Sequence, residues 1–201
     1  MKDQSKVTQE ETRLRNIIDM GLTFSAMIRL FKKGSKETLH QKILAEARNV
    51  FEVKSEKHFI KIHSNFCEWG IENIVLAEGK RNGRIIKEAA PASYGQIAKT
   101  FDVALKVAVY YSHLPNCEKS QEISKWLNAA VDRKMMAMLK KKYPKDIQRW
   151  PTTVKQVDST TYMAIQRIVR KFIREEYNGN ITPVQFDDIY WRVLNRIDGF
   201  T

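Results

Sequence analysis

The chain has 201 residues, room for one domain, and its apolar share of 43% with four Trp, nine Phe and seven Tyr excludes a disordered tail. Lysine and arginine number 35 against 23 acids, a formal charge of +12 that predicts a polyanionic partner: nucleic acid, acidic lipid or an acidic protein. Eight Gly and five Pro are too few for a turn-dense β-sandwich and predict long helices.

The first predicted element runs from about Gln4 to Lys33, with Leu14, Ile17, Ile18, Leu22, Ser25 and Ile28 near one face. Gly21 is a candidate kink within it, and Gly34-Ser35 ends it. Leu39, Ile43, Ala47 and Val50 mark the buried stripe of a second helix. A third spans Ser55 to about Ala77, where Phe59, Ile62, Phe66, Trp69 and Ile74 recur at threes and fours. The run Gly79-Lys80-Arg81-Asn82-Gly83-Arg84 breaks the pattern and reads as an exposed loop, with a short strand predicted near 83–87.

Ser93 to Gln96, Thr153 to Gln156 and Thr182 to Gln185 each have capping-box spacing, the last with Pro183 at the tolerated first helical position. Pro144 and Trp150-Pro151 punctuate the region before Val154, and Asn178-Gly179 ends a helix that starts near Asp158. Trp69, Trp126 and Trp191 fall on predicted buried stripes. The fold class is therefore all-α, a multi-helix domain of eight or nine helices with at most a minor β element. Residues 1–34 read as an N-terminal amphipathic segment and 35–201 as the helical core, with one continuous domain over 1–201 as the alternative. Two cysteines are too few for a disulfide framework, no apolar run is long enough to span a bilayer, and no secretory signal is visible, so a cytoplasmic protein is expected.

The stretch Tyr94 to Tyr111, YGQIAKTFDVALKVAVYY, has a small residue at Ala98 where two helices would cross, a turn candidate at Asp102, and Phe101 and Val103 beside it. In these points the segment 93–113 resembles a degenerate helix-turn-helix, which implies DNA binding. Asp102 stands where that pattern carries Gly, and the second helix offers base edges only Lys106 and tyrosine hydroxyls. A helix so apolar all round equally suits a buried hairpin.

Two His-x-x-x-Cys pairs, His63 with Cys67 and His113 with Cys117, have the ligand types of a tetrahedral zinc site. Against a metal stand the 45 residues between the pairs and Pro115, which keeps the second pair from being helical. The alternative is a buried thiol and a locally bonded histidine, with no cofactor.

The charge concentrates in three clusters: Lys80, Arg81, Arg84 and Lys87; the region Arg133 to Arg149, which includes Lys140, Lys141 and Lys142; and the stripe Arg167, Arg170, Lys171 and Arg174. With the aromatics Tyr143, Trp150 and Tyr177 nearby, they favour a phosphate-contacting surface. The function read from the chain is binding of DNA or RNA through Arg81, Arg84, Lys140, Lys141, Lys142, Arg170, Lys171 and Arg174. One rival is a helical nuclease, for which Glu52-Val53-Lys54 is a three-residue motif lacking its sheet. Another is a membrane-surface or acidic-protein module, in which Ile17, Leu22, Ile28 and Phe31 are flanked by Arg13, Arg15, Arg29, Lys32 and Lys33. No P-loop, Rossmann fingerprint or nucleophile elbow is present.

Overall fold

Capping chemistry starts most of the helices in the computed structural model, which describes residues 8–82 and 84–195. Thr8 and Glu11 close a reciprocal capping box on α1 (Gln9–Phe24), and Ser93 and Gln96 do the same on α4 (Tyr94–Leu105). Ser55, Asn116, Asp132 and Asp158 each accept the backbone N–H three residues on, at the starts of α3 (Glu56–Asn73), α5 (Cys117–Ser124), α6 (Arg133–Lys142) and α7 (Ser159–Tyr177). Such a cap contributes about 1 kcal/mol. Helix α2 (Lys33–Phe51) has no side-chain cap, whereas Thr182 and Gln185 exchange backbone bonds ahead of α8 (Pro183–Asn195). The Thr153 box closes only a single 3-10 turn, Val154–Gln156, because extended Val157 leads directly into the Asp158 cap. Asn178, left-handed at φ 51, ends α7 as its Asn-Gly sequence predicts.

The fold is all-α: eight α-helices and two two-stranded ribbons among the described residues, 70% helical in all. Helix α4 is its axis, buried along its whole length except at Lys99, as an all-round apolar helix must be. Helices α1, α3 and α7 pack around it. Gly21 does not kink α1; a Cβ there would lie 3.1 Å from Ala104 Cα, so the bare backbone lets α1 approach α4. Leu14, Ile18, Leu22 and Phe31 join the same core as Leu39, Phe66, Phe101 and Ile165.

Helix α3 stops at Asn73, short of the predicted Ala77, because Val75 and Leu76 form β1 against β4 (Ala90–Pro91). The short strand expected near 83–87 is β3 (Arg84–Lys87), and the run read as an exposed loop supplies its partner: β2 (Gly79–Arg81) pairs with it in the register Lys80 with Ile85 and Arg81 with Arg84. Asn82-Gly83 between two short strands is the strongest local hairpin signal, and Asn82 takes φ 51 as such a turn requires. Gly83 lies outside the described residues. Trp69 and Trp126 pack on the core as predicted, but Trp191 is 49% exposed, because α8 buries Val184 and Phe186 and turns the Trp191 position outward.

Candidate nucleic-acid interface

The helix-turn-helix expectation fails at its turn. Residues 94–111 form one uninterrupted rod, α4 continued by a π-helical segment, Lys106–Tyr111. Asp102 is held inside the core rather than in a turn: its Oδ1 lies 2.9 Å from His63 Nε2, and its Oδ2 accepts from the Tyr162 hydroxyl at 2.7 Å. Lys106, the one cation of the would-be recognition helix, donates to Asp187 of α8 at 2.6 Å. The exposed Tyr111 hydroxyl is bound to Asp188. Burial pushes the Asp187 carboxyl up against the opposing pull of Lys106.

The two His-Cys pairs are not brought together. His63 and Cys67 share the inner face of α3, the sulfur 3.7 Å from Nδ1, whereas His113 is exposed ahead of α5 and Cys117 is exposed at its first position. Both nitrogens of His63 already have partners, and among the described residues no three His, Cys, Asp or Glu side chains could hold a metal ion. Burial alone would lower the His63 pKa, but the Cys67 sulfur and the Asp102 carboxylate outweigh it and raise the imidazole to about 10. Cys67, His63 and Asp102 form an ordered nucleophile–base–acid series, yet each is at least 97% buried, so the thiol meets no substrate in this conformation. The series joins α3 and α4, and the Tyr162 hydroxyl on Asp102 ties α7 to it.

Two of the three basic clusters share one end of the molecule. Helices α3 and α7 run antiparallel: Tyr162 meets His63 midway along α3, and Arg170 reaches Glu56 at its start, 3.1 Å away. The second half of α7 therefore extends past the beginning of α3. The end of α6 is tied to it by Lys142 bound to Glu176, by the Tyr143 hydroxyl donating to Glu175 at 2.6 Å, and by Lys171 on Asp146 at 2.9 Å.

Those bonds sort the predicted contact residues. Lys142, Arg170 and Lys171 are ion-paired, and Arg170 also donates to the Trp126 carbonyl. Lys140, Lys141 and Arg174 are exposed, as are Lys145, Arg149 and Arg167, and none of these has an ion-pair partner among the described residues. Lys145, Arg149 and Arg167 extend the predicted contact set, and the signal was present in sequence as their membership of the same clusters. Arg84 is also exposed, and Arg81 ends β2, its side chain not among those described. Both lie in the hairpin that follows the end of α3 in the chain, a helix whose 18 residues span about 27 Å from Glu56. Arg81 and Arg84 thus belong to the hairpin, and the other six predicted contact residues to α6 and α7.

The accompanying aromatics are structural. Tyr143 is buried beneath Lys142 and Lys171, whose Nζ atoms lie 5.6 and 4.7 Å from its ring centroid. Trp150 is buried and Tyr177 half-buried. Base stacking would need one of these faces free. In the N-terminal segment, Leu22 and Phe31 are core, and Ile17 and Ile28 pack against it, so those four do not form a lipid-facing stripe. Glu52 is exposed at the end of α2, and no strand carries it. The chain matches no known protein family, no curated protein and no solved structure.

Proposed function

We propose that this protein binds nucleic acid electrostatically, through the end of α6, the connection 143–153 and the second half of α7. The carrying observation is that the bonds from Lys142, Tyr143 and Lys171 bring two basic clusters onto one surface while leaving Lys140, Lys141 and Arg174 exposed and unpaired among the described residues. Phosphates are the natural ligand of such a surface, since Lys and Arg contacts release condensed counterions and need no particular base.

The competing account of the three lysines is local: cations in the last turn of α6 offset its dipole, at about 0.3–1 kcal/mol each. Binding measurements separate the two. Fluorescence anisotropy with a labelled duplex should give an affinity that falls linearly with salt on logarithmic axes. Replacing Lys140, Lys141 and Arg174 together by Ala should weaken binding by about one to two orders of magnitude and lower that slope by roughly two to three. Lys142→Ala should cost less binding, because Glu176 already holds that ammonium. A folded triple variant that binds as tightly as the parent assigns the lysines to the helix end alone. A parent that binds neither duplex nor single strand at low salt ends the reading.

A further inference from the structure

At the other end of α3 lies an exposed surface of different composition. Phe24 closes α1 at 63% exposure, Leu30 is 42% exposed, and Ile85 and Ile86 of β3 are 49% and 67% exposed. Backbone bonds place Leu30 beside the chain that leads into the hairpin: the Ala77 N–H donates to the Leu30 carbonyl at 2.8 Å, the Lys32 N–H donates to the Val75 carbonyl at 2.9 Å, and Phe31 bridges Leu76, with Phe24 one 3-10 turn before Leu30 in the chain. Strand β2 begins two residues after Ala77, which keeps the isoleucines on the order of 15 Å from Leu30. Arg29, Lys32, Lys33, Arg84 and Lys87 are interleaved with these side chains, all exposed and none ion-paired among the described residues.

Successive residues of a strand face opposite sides, so Ile85 and Ile86 point to the two faces of the ribbon. Both are exposed, so neither face is covered by the body of the protein. A protein partner laid flat covers one face of a ribbon, and a phosphate backbone offers nothing to Phe24 or Ile86. The boundary between lipid headgroups and acyl chains surrounds a thin element and accepts apolar tips and cations together.

We infer that this end of the molecule docks on an anionic membrane surface. Phe24, Leu30, Ile85 and Ile86 enter the boundary, and the five cations meet lipid phosphates and carboxylates. The contact is peripheral: no helix among the described residues is long and apolar enough to cross a membrane. It uses residues apart from the α6–α7 surface and does not rest on nucleic-acid binding.

Flotation of the full chain tests this, with vesicles of phosphatidylcholine alone and of phosphatidylcholine mixed with phosphatidylserine. The chain should float with the serine-containing vesicles, not with the neutral ones, and added salt should release it. The double variant Ile85→Glu with Ile86→Glu should lower the bound fraction about tenfold or more, because it places carboxylates among anionic headgroups. Its circular dichroism and melting temperature should match the parent, as neither side chain is buried. The Lys140→Ala, Lys141→Ala, Arg174→Ala variant should float like the parent. Failure to float with either vesicle at low salt overturns the inference, and so does undiminished flotation of the folded double variant. If the double variant loses duplex binding while its flotation is unchanged, the surface belongs to nucleic acid and the inference falls.

Discussion

His63 sets how stability responds to pH. Its pKa stands raised from the ordinary 6.5 to about 10, so between those values the folded protein holds a proton that the unfolded chain has released. The stabilisation is therefore complete below about pH 6.5 and is lost as pH rises through about 10. Urea unfolding at intervals across that range should show a falling free energy, and Asp102→Asn should flatten the fall by removing the carboxylate. Asp102→Ala should cost about 3–5 kcal/mol, since it leaves an imidazolium and the Tyr162 hydroxyl buried without their acceptor. An Asp102→Ala protein as stable as the parent would show that the series contributes nothing. The i, i+4 spacing of His63 and Cys67 was readable as a shared helix face. Their partner was not, because Asp102 lies 39 residues from His63 along the chain and reaches it only through the packing of α4 on α3.

Among the elements, the helices and the hairpin differ in what holds them. Helix α4 starts against the 3-10 turn, where the Gly95 N–H donates to the Val157 carbonyl at 2.9 Å and a Cβ on Gly95 would stand 2.4 Å from the Val154 carbonyl oxygen. Gly95→Ala should therefore cost about 1–3 kcal/mol by denaturant unfolding, as backbone must shift to admit the methyl. The β2–β3 ribbon is held chiefly by its own pairing, with β3 exposed throughout. Its amide protons should exchange orders of magnitude faster than those of α4, reporting local opening rather than global unfolding. Protection of β3 equal to that of α4 would show that the ribbon unfolds only with the core. Apolar periodicity and capping boxes located the helices because both act within about four residues. The strand expected near 83–87 is β3, but these signals do not show its partner β2, because pairing across an Asn-Gly turn carries that information.

Across the whole molecule, the α6–α7 cations gather by the start of α3, while the hairpin follows its end and makes no ion pair to them among the described residues. The two sets of substitutions should accordingly add in unfolding free energy to within about 0.5 kcal/mol, as independent distant sites do. Because Tyr143 and Trp150 are buried, the α6–α7 surface should bind duplex at least as tightly as a single strand of the same length. Clear preference for the single strand would mean that bases reach an aromatic face that this packing covers. The sequence by itself determined an all-α chain with a minor strand near 83–87, the positions of most helices and their caps, and a cationic surplus concentrated in three stretches. Only the tertiary structure decided which cations are spent on Glu56, Asp146 and Glu176, and which have no ion-pair partner among the described residues. It also turned a possible recognition helix into the buried axis of the fold. The reason is range: periodicity and capping act within one or two turns, whereas these pairings join residues 25 to 114 apart in the chain (Asp146 with Lys171, Glu56 with Arg170), and only packing brings them within reach.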